Sequence, residues 1–106
     1  NDQWEKIWED YVGWLKREGS YEQAIATSKT SISKNPNAIR LHIQLALLEI
    51  EFGNADDAVV LATQMTEMFP DAAAPWMLLS RALDTVGDHD GARKAQAEAA
   101  KIQGER

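Results

Sequence analysis

Gly53-Asn54-Ala55-Asp56-Asp57-Ala58 is written three times in outline along this chain. Gly19-Ser20-Tyr21-Glu22-Gln23-Ala24 carries its skeleton upstream, and Gly87-Asp88-His89-Asp90-Gly91-Ala92 carries it downstream. The three leading glycines stand 34 residues apart, as do Ala24, Ala58 and Ala92, and as do Pro36 and Pro70. A fixed period of this length marks one supersecondary unit repeated along the chain. A single small unit cannot bury its own apolar face, so each leans on its neighbour.

Working outward from Gly53, Leu41, Leu45, Leu48 and Phe52 recur at steps of three and four, the spacing of one side of a helix. Asn54 suits the cap of a second helix, whose inner stripe is Ala55, Ala58, Val59, Ala62, Met65, Thr66 and Phe69. The first unit reads the same way. Trp4, Ile7, Trp8, Tyr11, Val12, Trp14 and Leu15 form a helical stripe that Gly19 stops by accepting a left-handed conformation. Ser20 and Gln23 make a capping box, and Ala24, Ile25, Ser28 and Ile32 follow inside the next helix. Asn35-Pro36-Asn37 breaks the chain. The third unit has Trp76, Leu79, Leu83 and Val86, then Gly87, the cap Asp88, and Ala92, Ala95, Ala99 and Ile102. The expectation is an all-α chain, one domain over 1–106, with six helices in three helix–turn–helix pairs and no competing strand pattern.

Bulk properties agree. The chain has 106 residues, room for one small domain; 26% are charged and 44% apolar, a folded rather than a disordered composition. A net charge of −6 makes nucleic-acid phosphates an unfavourable partner. Without cysteine there are no disulfides and no thiolate metal sites. No apolar run is long enough to cross a membrane, and no signal-peptide pattern opens the chain. Asn1 in place of Met raises the expectation of a piece excised from a longer protein. The compartment stays open: cytoplasmic is expected, with periplasmic and nuclear as alternatives.

Set in units 5–38, 39–72 and 73–106, the fourth position reads Trp8, His42, Trp76 and the seventh Tyr11, Leu45, Leu79. The eighth reads Val12, Ala46, Ser80, and the eleventh Leu15, Glu49, Leu83. With the period, the turn and the closing prolines, these residues resemble the tetratricopeptide repeat, two antiparallel helices in 34 residues. The resemblance leaves only residues 1–4 outside it. It implies a right-handed α-solenoid of three such repeats, working as a non-enzymatic protein-interaction module or scaffold. The sequence departs from the pattern at His42 and Glu49, and at Ser28 and Gln96 in the second helices. A weaker resemblance runs to the half-a-TPR repeat of RNA-processing scaffolds. It rests on Trp8-Glu9-Asp10-Tyr11-Val12-Gly13-Trp14 and on Leu45-Ala46-Leu47-Leu48-Glu49. That alternative implies a structural scaffold of an RNA-processing complex.

By analogy with the family, first-helix positions 2, 5, 6, 9, 12 and 13 line a concave groove. The expected partner-binding residues are Arg40, Ile43, Gln44, Leu47, Ile50, Met77, Leu78 and Arg81. The apolar centre and charged rim suit the apolar side of a partner's helix or extended segment. Family members that clamp a terminal carboxylate use cationic and amide donors in the groove; here those places hold Glu9, Gly13, Gln44, Ala74 and Leu78, which supply no cation. Positions 3, 7, 10 and 14 face the preceding unit. In unit one, Ile7, Tyr11 and Trp14 have nothing before them, with Trp4 a turn earlier. These four form an expected N-terminal docking patch for an upstream segment, another subunit or a partner, because each such side chain stabilises by about 1.5–3 kcal/mol when buried. The small and charged outer face of 92–101 is expected to finish the array at the other end.

Catalytic chemistry, metal and cofactor are not expected. Asp56-Asp57 and Asp88-His89-Asp90 fall in the turns, where Asp serves as a cap. His42 occupies a packing slot. Thr27, Ser28, Thr30, Ser31 and Ser33 lack a histidine placed to activate them. There is no glycine-rich phosphate loop.

Overall fold

The computed structural model describes residues 2–104. Six helices follow in order: α1 Asp2–Arg17, α2 Tyr21–Lys34, α3 Ile39–Phe52, α4 Ala55–Met68, α5 Ala73–Thr85 and α6 His89–Gly104. There is no strand among the described residues. Each helix packs on the next, and α1 on α3 and α3 on α5 as well. The odd-numbered helices thus form one layer and the even-numbered ones a second. This is an all-α solenoid of helical hairpins.

Small residues let the layers approach. Ala24, Ala58, Ala46, Ala62 and Ala82 are fully buried. Any larger side chain there would push two backbones apart in an interior packed to crystal density. Around them sit two apolar clusters. Val12, Leu15, Ala24 and Leu48, with Ile25 against them, join α1, α2 and α3. Ala46, Ala62, Met65 and Leu78, flanked by Ile43, Leu47, Leu61 and Phe69, join α3, α4 and α5. His42 fills its core slot, its Nδ1 2.9 Å from the Ala38 carbonyl and its ring edge-on to Phe69 at 5.8 Å.

The three turns are not equal. After α1, the Gly19 N–H donates to the Lys16 carbonyl and the Ser20 N–H to that of Leu15. After α5, Gly87 and Asp88 donate in the same way to Asp84 and Leu83. Both glycines have positive φ, 78° and 93°, the left-handed close of a helix. Gly53 does not: its φ is −117° and α3 runs one residue further, through Phe52. The expected left-handed stop is replaced by a steric need. A Cβ on Gly53 would come within 2.9 Å of Ile25 Cδ1 and 3.2 Å of Glu49 Cα. Ser20 also departs from expectation, since its side chain makes no cap bond. Its N–H already closes α1, and its hydroxyl is left outside the helix start. Asn54 and Asp88 do cap, accepting from the Asp56 and Gly91 N–H groups at 2.8 and 2.9 Å.

Candidate functional site

Along the layer of odd-numbered helices, polar side chains link one unit to the next. Glu9 of α1 accepts from Arg40 of α3 at 3.0 Å, and the Glu9 carbonyl accepts from Gln44 Nε2 at 3.1 Å. Glu51 of α3 lies 3.6 Å from Lys16 of α1 and 3.8 Å from Arg81 of α5. Exposed pairs of this kind contribute little stability each. Their value here is orientation, because they set the rim between consecutive units.

Inside that rim, the expected groove residues separate into four groups. Arg40, Ile43, Gln44 and Leu47 come together with Glu9 around a depression of about 360 Å³. Gln44 and Leu47 are shared with a larger cleft of about 600 Å³ between α1 and α3. The α1 wall of that cleft is Val12, Gly13, Lys16 and Arg17, and its far end is closed by aromatic rings. Tyr21 and Phe52 stack there with centroids 3.8 Å apart and planes within 6°. Lys16 Nζ stands 5.8 Å from the Phe52 centroid, within the range of a cation–π contact. Ile50 is half-buried and lines neither cavity.

Met77 and Arg81 belong elsewhere: they line a cleft of about 320 Å³ between α5 and α6. Leu78 is a correction. It is only 7% exposed and sits in the α3–α4–α5 cluster, so it packs the core instead of facing an open groove. α5 is turned so that Leu78 enters the layer below and Met77 remains outside. The sequence pattern alone did not separate these adjacent positions.

Gln44 gives the shared wall a chemical feature that sequence reading missed. Its Nε2 is used by Glu9, while its Oε1 is buried and without a hydrogen-bond partner. That oxygen is closed to solvent, so the amide serves to tie α3 to α1 and offers the cleft no acceptor.

At the N-terminal end, Trp4, Ile7, Tyr11 and Trp14 are 56%, 50%, 43% and 50% exposed. Tyr11 and Trp14 stack on one another with centroids 6.3 Å apart and planes within 13°. The acidic turn at 88–90 is dispersed: Asp88 caps the Gly91 N–H, His89 Nδ1 meets Asp84 at 2.9 Å, and Asp90 pairs with Arg93. Among the described residues no three metal-ligating side chains converge. No helix among them is long and apolar enough to cross a membrane.

Comparison with known proteins gives two findings. The family described as Tetratricopeptide repeat matches residues 15–82. A solved structure titled "MamA MSR-1 C2" superimposes with a TM-score of 0.81 over 94% of this chain, at 14% sequence identity. At that identity the likeness concerns the fold, and this chain spans 57% of that one's length. No curated protein matches in sequence.

Proposed function

The chain belongs to the tetratricopeptide repeat family, a family of protein-interaction modules, and we propose that it binds an extended or helical segment of a partner protein in the cleft between α1 and α3. The observation that carries this reading is the lining of that cleft, Leu47 and Leu48 of α3 facing Val12 of α1 with Tyr21 and Phe52 at one end. Leu47 is half-buried, and the stacked Tyr21 and Phe52 rings stand at the cleft's end. A peptide laid in the cleft buries apolar area against Leu47 and these rings. Lys16 and Arg17 on the opposite wall favour a carboxylate on the segment at the Tyr21–Phe52 end.

Peptides selected from a random display library against the chain test this reading by calorimetry. Gly13→Phe fills the cleft from the α1 side without touching the core, since a Cβ there meets only Arg17 Nη1 at an ordinary 3.5 Å. Gly13→Phe and Leu47→Glu are each expected to weaken the selected peptides at least tenfold, about 1.4 kcal/mol. Trp14→Glu, on the outer face of α1, is expected to leave them unchanged. Selected peptides that bind all three variants alike would overturn the cleft as the site.

A further inference from the structure

We infer that the α1–α3 cleft and the depression beside it are two consecutive side-chain subsites for an extended segment, with an aliphatic residue in the depression and an aromatic residue two positions away in the cleft. This rests on the cleft as the binding site and adds the spacing and size of what it reads. The two openings share Gln44 and Leu47, so these side chains form the ridge between them. Gln44 is fixed there, its Nε2 donating to the Glu9 carbonyl of α1 at 3.1 Å. On α3 the depression is bounded by Arg40, Ile43, Gln44 and Leu47, and the cleft by Gln44, Leu47, Leu48 and Phe52. One set is displaced from the other by one helical turn, about 5.4 Å. Alternate side chains of an extended chain stand about 6.6 Å apart on one face, and the side chain between them points away from the ridge.

The ties between the two helices exclude a thicker ligand. Arg40 donates to Glu9 at 3.0 Å beside the depression, and Lys16 lies 3.6 Å from Glu51 beside the cleft. A helix, about 10–12 Å across with its side chains, must rest above these contacts. An extended backbone takes only about 4.8 Å, so it lies lower and lets its side chains reach both floors.

Size is set by Gly13, in the interior of α1. A glycine there weakens a helix relative to alanine. Its φ is not positive, and a Cβ would meet only Arg17 Nη1 at 3.5 Å, an ordinary contact. Neither backbone conformation nor packing calls for glycine at this position, and the space that its missing side chain leaves belongs to the cleft. Below it lie Val12 and Leu48, both buried, and the Tyr21–Phe52 stack closes the end. A flat ring suits those surroundings. The depression has about 360 Å³ against about 600 Å³ and offers Ile43 and Leu47, which suit an aliphatic side chain.

Panning a random-peptide display library on the wild type, on Gly13→Ala and on Gly13→Phe tests spacing and size together, with calorimetry on the enriched peptides. Sequences enriched on the wild type are expected to share an aliphatic and an aromatic residue with a single residue between them. Gly13→Ala is expected to raise the melting midpoint by about 5 °C. It is also expected to weaken those peptides at least about tenfold, the effect of one methyl group in an apolar pocket, and to enrich smaller residues at the aromatic position. Peptides that are lost on Gly13→Phe but carry their anchors three or four residues apart, or share no anchor pair, would overturn the inference and leave the cleft as the site. A lower midpoint for Gly13→Ala would also overturn it, since the glycine would then be a requirement of the fold. Peptides indifferent to Gly13→Phe remove the cleft reading itself, and this inference with it.

Discussion

Glu49 places an ionisable carboxyl in the core. It lies in α3 at 4% exposure, and its Oε2 has no hydrogen-bond partner. Burial pushes its carboxyl above the ordinary value; Lys29 works against that and Asp57 adds to it. Below the ordinary glutamate range the group is neutral in both folded and unfolded chains and carries no penalty. As the pH climbs from the ordinary value of 4.5 through the raised folded value, the unfolded chain ionises first and the fold loses stability. Glu49→Gln is therefore expected to raise the melting temperature at neutral pH and to flatten its dependence on pH across that window. A melting profile for both chains between pH 4 and 8 checks the sign; a lower midpoint for the variant at pH 7 would mean that the ionised carboxylate has a favourable partner. The eleventh place in each unit marked Glu49 as a departure in the sequence. That it would be buried without a full set of partners was not legible, because what surrounds it is set by how the neighbouring helices pack.

At the scale of elements, three turns with one sequence skeleton end their helices in two ways. Gly19 and Gly87 supply left-handed residues, and a Cβ at either would meet nothing within 4 Å. The penalty for Gly87→Ala is then conformational only, about 1 kcal/mol, with a fall of about 5 °C in the melting midpoint. A thermal melt by circular dichroism measures it, and an unchanged midpoint would show that the turn relaxes to accept a side chain. Gly53 is glycine for a different reason, the close approach of Ile25 and the α3 backbone. Sequence placed all three breaks correctly and located the caps at Asn54 and Asp88. It could not tell a glycine chosen for φ from one chosen for space, because that depends on what the neighbouring helix brings to the turn.

For the molecule as a whole, nearest-neighbour stacking sets the distribution of stability. α3 packs on α1, α2, α4 and α5, whereas α6 packs on α5 alone. In such a linear array, the elements with neighbours on both sides open last. Amide hydrogen exchange is expected to be slowest in α3 and α4 and fastest in α6, with α1 intermediate. Equal protection throughout would mean that the chain opens as a single unit despite its linear contacts.

The sequence by itself determined the period, the number of helices, the breaks between them and the alanines at the crossings. These follow from local backbone preference and from side-chain volume where two backbones meet, and both are written residue by residue. It also placed Trp4, Ile7, Tyr11 and Trp14 on one face of the first helix, and all four are substantially exposed in the fold. Only the tertiary structure decided that Leu78 is core while Met77 is free, that Gln44 ties α3 to the Glu9 carbonyl of α1, and that Gly53 needs space and not a left-handed φ. Adjacent positions on one helix differ by about 100° around its axis. Which of them meets solvent is fixed by how the neighbouring helices are rotated and shifted, and that is a property of the whole stack.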